Sequence, residues 1–161
     1  MRVGQGTDAH RLVPGRPLVL GGVAIPFDRG LEGHSDGDVL LHAVASSLLG
    51  ALGEGDLGRH FPSSDPELAS IASTEILSRV ARRLTAAGFA IGNLDATIVA
   101  QVPRLAAHLP KMEGVIADVL GVDSDRVNVK VTSTDGLGAI GRGEGIAAQA
   151  VVLIVEASAG E

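Results

Sequence analysis

The chain contains no cysteine, no tryptophan and no tyrosine, and only three phenylalanines among 161 residues. Without thiols there is no disulfide framework, and any bound metal must be held by nitrogen and oxygen ligands. With so few aromatic side chains no stacking platform for a single-stranded nucleic acid is visible. Positive charge is also scarce: 13 basic residues stand against 19 acidic ones, a net charge of −6. That balance argues against binding to nucleic acid. No apolar run approaches the roughly 18 residues needed to cross a bilayer. The longest, residues 147–155, is interrupted by Gln149. The first residues, M-R-V-G-Q-G-T-D, lack the apolar core of a signal peptide. No membrane partner and a cytoplasmic location are therefore expected.

Hydrophobic residues make up 45% of the chain and charged residues 20%, which suits a folded domain with a substantial core. No repeat or linker divides the chain, so residues 1–161 are expected to form a single catalytic domain. Residues 1–12 look extended. Pro14-Gly15 reads as a turn, with 17–20 and 22–25 as the arms of a hairpin. Leu40, Leu41, Val44, Leu48 and Leu52 keep a helical period, with Ser35 or Asp36 as the expected cap. Residues 54–66 read as a loop, and a second helix starts at Ser70 or Ser73 and stops at Gly88. A long strand over 90–102, a helix over 105–120, a strand over 127–132 and a terminal strand over 146–155 complete the pattern. The expected class is α+β, a mostly antiparallel sheet with helices on one face. The terminal strand, A-A-Q-A-V-V-L-I-V, is apolar on both faces. That favours a symmetric oligomer whose sheets pack around an axis.

Three stretches carry candidate chemistry. Asp8 and His10, two apart on a strand, project from one face. With His42 they make an oxygen/nitrogen set suited to zinc, and three ligands leave a fourth position open, as catalytic sites do. The segment G-H-S-D-G-D at 33–38 precedes the first helix, where free amides and the helix dipole favour an anion. The loop from Asp56, Leu57 and Gly58 to Phe61, Pro62, Ser63, Ser64 and Asp65 is rich in oxygens. Thr132, Ser133, Thr134 and Asp135 supply hydroxyls and a carboxylate fit for phosphate and a hard cation. The following glycines lack the Gly-Lys-Ser/Thr of a P-loop, so a Walker-type nucleotidase is disfavoured. Arg142 and Glu144 form an ion pair or an anion clamp.

Together, G-x-G-x-D-x-H-R at 4–11, H-S-D-G-D-x-x-L-H at 34–42, D-L-G-x-x-F-P at 56–62 and T-S-T-D-G-L-G-x-x-G-R-G-E-G-I-A at 132–147 resemble the 2-C-methyl-D-erythritol 2,4-cyclodiphosphate synthases of the non-mevalonate isoprenoid pathway. The four motifs run in order over nearly the whole chain. The resemblance implies a homotrimer with sites between subunits and a zinc ion on Asp8, His10 and His42. It implies conversion of 4-diphosphocytidyl-2-C-methyl-D-erythritol 2-phosphate to the cyclic diphosphate and CMP. It further implies a second divalent ion, Mg²⁺ or Mn²⁺, near Asp135. Ala100, Gln101, Val102, Pro103, Arg104 and Leu105 are expected at the base, Asp56 and Gly58 at the ribose, and His34 and Ser133 at the transition state. Ser35, Leu57, Phe61 to Asp65 and Thr132 to Asp135 complete the expected substrate contacts. Ala139 and Arg142 fall on an axial channel that would take a prenyl diphosphate.

Four positions depart from the family's usual residues: Ser63 for Asp, Ser133 for Thr, Asp135 for Glu and Ala139 for Phe. Two other functions are compatible with the motifs taken apart from the resemblance. One is a non-catalytic trimer that binds a prenyl diphosphate; the other is a zinc phosphohydrolase that uses water as nucleophile.

Overall fold

A computed structural model describes residues 1–157. The first strand, β1 (Arg2–Pro14), pairs along its length with the last, β7 (Gly145–Glu156), antiparallel from Arg2↔Ile154 to Arg11↔Gly145. A short strand, β4 (Arg29–Leu31), extends the β1 edge. On the far side of β7 lies β5 (Phe89–Val99), antiparallel to it, and then β6 (Val127–Thr132). The sheet order is β4-β1-β7-β5-β6. β2 (Leu18–Leu20) and β3 (Val23–Ile25) form a separate hairpin. Gly21 and Gly22 both have positive φ there, as a two-residue turn of type I′ requires.

The sheet is mostly antiparallel, as expected, with one parallel pair. β5 and β6 run parallel because the chain between them crosses back through α4 (Leu109–Leu120). The helices α1 (Val39–Leu52), α3 (Ser73–Ala86) and α4 cover one face. Two four-residue helices also form: α2 (Leu57–His60) inside the segment 54–66 expected to be a loop, and α5 (Gly138–Gly141) inside the glycine-rich stretch after Asp135.

α1 is buried nearly all round, with Val39 to Ala45 and Ser47 to Leu49 all out of solvent. Such a helix lies within the core rather than on it. It seats against β1 because Gly4 and Gly6 face it without side chains. A Cβ on Gly6 would lie 2.1 Å from the Ala43 carbonyl oxygen, and one on Gly4 would lie 1.9 Å from that of Ser47. The helix cap differs from expectation. Gly37 has a left-handed φ of 79°, so the helix starts only after it, and Asp38 rather than Ser35 or Asp36 is the cap. The Asp38 carboxylate accepts from the amides of Leu41, Gly21 and Gly22 at 3.1, 3.0 and 2.7 Å, joining the hairpin turn to the helix start. Burial pushes its pKa up to about 6 against the pull of those amides.

The outer face of the sheet carries Val3 and Val151, 65% and 46% exposed, beside Gln5, Thr7 and Gln149. No helix among the described residues is long and apolar enough to cross a membrane.

Candidate metal centre and its cavities

The tight α1–β1 contact delivers His42 to Asp8. On the inner face of β1, Asp8 and His10 follow Gly4 and Gly6, and His42 lies in the first turn of α1. His10 Nε2 is 2.8 Å from Asp8 Oδ2, and His42 Nδ1 is 2.9 Å from the same oxygen. One ligand atom from each residue lies within 4.8 Å of the others. A tetrahedral zinc with bonds of about 2.05 Å separates its ligand atoms by roughly 3.3 Å. Each histidine contact to Asp8 opens by about half an ångström to reach that spacing, and a pair as far as 4.8 Å apart closes by up to about 1.5 Å; with that adjustment the donor set fits a divalent metal.

Each histidine is oriented from behind. The second nitrogen of His10, Nδ1, is 2.6 Å from the Glu32 carbonyl oxygen. Nε2 of His42 is 3.0 Å from the hydroxyls of both Ser35 and Ser73. Both nitrogens of His10 thus face oxygen acceptors, and the hydrogen bond to Asp8 raises its pKa despite partial burial. Burial works to raise the pKa of Asp8. Hydrogen bonds from His10 and His42 reverse it and hold the carboxyl well below the usual range.

His10 and His42 of the metal trio line a cavity of about 190 Å³. Five further expected site residues line it: His34, Ser35, Leu57, Phe61 and Ser63. Leu68, Ile71 and Ile76 form its apolar wall, a role the sequence did not signal. The surrounding loop is pinned by backbone bonds from Ser70 N to the His34 carbonyl, 2.9 Å, and from Asp36 N to that of Ile71, 3.3 Å. Arg16 braces the other side, its Nη1 and Nη2 donating to the Gly33 and Ser35 carbonyls at 2.9 and 2.8 Å. Asp56 caps α2 by accepting from Arg59 N at 2.9 Å, and Gly58, Pro62 and Ser64 are exposed on the same loop. Asp65 caps the following 3₁₀ turn, and its carbonyl is 3.3 Å from His34 Nε2.

The anion site expected at the start of α1 is narrowed, because three of its amides are already used within the chain. Gly37 N donates to Ser35 Oγ, Asp38 N to Asp36 Oδ1, and Leu41 N to the cap. The buried Asp38 carboxylate already fills the positive end of the helix.

The remaining expected residues gather elsewhere. Ala100, Gln101, Pro103, Arg104 and Leu105 line a second cavity of about 280 Å³ with Thr132 and Ser133. Val102 packs on the core beside Gly143. Gln101 Oε1 accepts from Gly136 N at 3.1 Å, tying this cavity to the turn that holds Thr134 and Asp135. Asp135 adopts a left-handed φ of 51°, its side chain held by Ser133 Oγ at 3.1 Å. Asp135 is not grouped with the metal trio. The strand register sets the gap: Ala9, Ala147, Val99 and Thr132 share one row of the sheet. Three strand spacings put β6 roughly 14 Å from β1. Arg142 is exposed and paired with Glu144, and Ala139 lies on α5 beside Ala9 and Arg11.

The chain as a whole matches known proteins. A 2-C-methyl-D-erythritol 2,4-cyclodiphosphate synthase from Desulfatibacillum aliphaticivorans is 57% identical over 154 residues, 96% of this chain and 99% of that protein. The structure of the bifunctional IspDF from Campylobacter jejuni superposes with a TM-score of 0.93 at 39% identity, over 96% of this chain; the chain spans 42% of that longer polypeptide. A solved 2C-methyl-D-erythritol-2,4-cyclodiphosphate synthase in its CDP-bound form gives a TM-score of 0.88 at 34% identity, covering 96% of this chain and all of its own. The YgbB family profile matches residues 1–155. The chain belongs to the YgbB family, that of the 2-C-methyl-D-erythritol 2,4-cyclodiphosphate synthases.

Proposed function

We propose that the chain converts 4-diphosphocytidyl-2-C-methyl-D-erythritol 2-phosphate to 2-C-methyl-D-erythritol 2,4-cyclodiphosphate and CMP, at a site completed between subunits of a homotrimer. The observation that carries this reading is the division of the site. His10, His42 and His34 line one cavity, while Ala100, Gln101, Pro103 to Leu105 and Ser133 line another roughly 14 Å across the sheet. A CDP-bound relative of the same fold suits a cytidine nucleotide at the second. Apolar Val3 and Val151 on the outer face give three such sheets a surface to pack on.

In the reaction, an oxygen of the 2-phosphate attacks the diphosphate phosphorus that is bonded to the methylerythritol 4-oxygen. A new P–O–P bond forms, the P–O bond to CMP breaks, and CMP leaves with the electron pair. A phosphate is already a nucleophile at neutral pH, so no general base is needed. The protein's work is positioning and charge neutralisation. Asp8, His10 and His42 would hold zinc, and Asp135 would hold Mg²⁺ or Mn²⁺ directly or through water. Bound together, the two ions would neutralise the approaching phosphates and the developing charge on CMP. Ala100 to Leu105 cradle the base, and Asp56 and Gly58 the ribose. His34 and Ser35 on one half, and Ser133 with Thr132 and Thr134 on the other, donate to phosphoryl oxygens. Leu57, Phe61 and the loop from Pro62 to Asp65 exclude water from the methylerythritol. Ala139 and Arg142 would line an axial channel, with Arg142 holding the phosphate end of a prenyl diphosphate.

Mixing two inactive variants, His42→Ala and Ser133→Ala, tests the composite site. Dissociated and reassembled together they should regain CMP release, because some interfaces then pair two intact halves. ³¹P NMR should show the cyclic diphosphate; a linear product would instead mark a phosphohydrolase. Failure of the mixture to recover any activity would refute the intersubunit site.

A further inference from the structure

The His42 ring has one nitrogen aimed at Asp8 and the other sealed in the protein. For Nδ1 to serve as a metal ligand its lone pair must be free, so the proton must sit on Nε2. Two buried hydroxyls meet that nitrogen, and they are not equivalent. Ser73 Oγ donates its only proton in a short hydrogen bond to Asp36 Oδ1, and Ser73 N donates to Asp36 Oδ2 at 3.0 Å. With its proton committed to a carboxylate, the Ser73 oxygen can meet His42 Nε2, 3.0 Å away, only as an acceptor. Asp36 is itself fixed, since Oδ1 also accepts from Asp38 N at 3.1 Å. Ser73 has no exposed surface, and no buried side-chain polar atom among the described residues lacks a partner.

We propose that Ser73 is a positioning residue for the metal centre. The Asp36 carboxylate accepts the Ser73 hydroxyl hydrogen bond, the Ser73 oxygen accepts from His42 Nε2–H, and the proton held on Nε2 leaves the Nδ1 lone pair for a metal ion that replaces the hydrogen bond to Asp8. This carboxylate–hydroxyl–imidazole chain reproduces, with one hydroxyl interposed, the carboxylate–histidine pairing that fixes tautomer and basicity in metal sites. It also explains a placement that helix capping does not. Ser73 opens α3, yet the N-cap is Ala72 with no side-chain cap bond. The Ser73 hydroxyl turns away from its own helix to serve a residue 31 positions earlier. Ser73 follows directly on the loop whose Leu68 and Ile71 wall the cavity, so the same residue joins that loop to the ligand set. The proposal rests on the reading of Asp8, His10 and His42 as a metal site.

The test is competition for Zn²⁺ or Co²⁺ between a chelator and the purified protein. Ser73→Ala should weaken affinity about 10- to 100-fold, the usual scale for losing such a partner. Ser73→Thr, which keeps the hydroxyl, should restore most of it. Asp36→Asn, which keeps the shape and removes the charge, should give an intermediate loss. On the unmodified protein loaded with Zn²⁺, NMR should show a protected His42 Nε2–H resonance, and this readout stands even where Ser73→Ala fails to fold. Unchanged affinity in folded Ser73→Ala, or no protected Nε2–H in the unmodified protein, overturns the proposal while leaving the metal site intact. Failure of the unmodified protein to bind either ion overturns the metal reading and the proposal with it.

Discussion

Substituting Gly6 by alanine tests whether the α1–β1 contact places the metal ligands. The added Cβ would lie 2.1 Å from the Ala43 carbonyl oxygen and 2.6 Å from Ser47 N. Both are backbone atoms of a buried helix and have no rotamer to yield. A comfortable carbon–oxygen contact is roughly 3.2 Å, so α1 must retreat by about 1 Å. His42 precedes Ala43 and moves with it. Its Nδ1 would then lie near 4 Å from Asp8 Oδ2 instead of 2.9 Å, and binding zinc would have to pull the displaced helix back toward the roughly 3.3 Å ligand spacing. Overpacking of this kind costs about 1–3 kcal/mol. For a chain of this length that is a fall of roughly 3–10 °C in Tm. Metal affinity should drop about tenfold or more. Gly114→Ala is the control: it lies within α4 with open space at its Cβ. It should gain about 0.5–1 kcal/mol from helix propensity and leave metal affinity unchanged. Thermal melts of metal-free protein and a Co²⁺ titration measure both quantities. If Gly6→Ala melts like the unmodified chain and binds Co²⁺ equally well, the glycine contact is not what positions His42.

Three further outcomes follow from the same structure. In the metal-free protein the Asp8–His10 pair should stabilise fully between about pH 3.8 and 6.5, the ordinary values of the two groups. That stabilisation is lost as pH rises through the raised pKa of His10, and again as pH falls toward the lowered pKa of Asp8. Because both His10 nitrogens face acceptors, metal uptake near pH 6.5 should release a proton, visible by calorimetry in buffers of different ionisation enthalpy; no release would refute the doubly protonated ring. Asp38→Ala removes a helix cap and strands the Gly21 and Gly22 amides, a loss of about 3 kcal/mol or more by urea denaturation. Its deficit should shrink as pH rises through about 6, since burial raises the Asp38 pKa and its ionised form is the less favoured in the fold. Arg16→Ala frees the Gly33 and Ser35 carbonyls on either side of His34 and should lower kcat about tenfold. Arg16→Lys should recover little, because an ammonium cannot fork onto two carbonyls; full activity in either variant would remove Arg16 from the positioning of His34.

Much of the fold was legible because the signals were local. The hairpin at 18–25, the limits of β6 and the stop of α4 at Gly121 each follow from residues within a few positions. The cap of α1 was misplaced although its signal is also local. In S-D-G-D the glycine takes a left-handed φ, which excludes both residues before it and leaves Asp38. The parallel β5–β6 pair and the strand β4 were not legible. The former depends on which end of the sheet α4 returns to, and the latter has only three residues, Arg29 to Leu31, with a glycine between.

The candidate site divides along the same line. Asp8, His10 and His42 could be read from ligand chemistry and a period-two strand, since residue type alone marks a ligand. What orients them could not. Ser73, Asp36, Arg16 and the Glu32 carbonyl act through hydrogen bonds whose partners lie up to 37 positions away, and a serine or an arginine has many ordinary uses. Gly4 and Gly6 show the limit most sharply. In sequence they read as two glycines in a strand, where glycine weakens pairing and offers nothing to pack. In the structure their missing side chains are the space that α1 occupies, and that space is what brings an imidazole from a helix within 2.9 Å of a carboxylate on the strand.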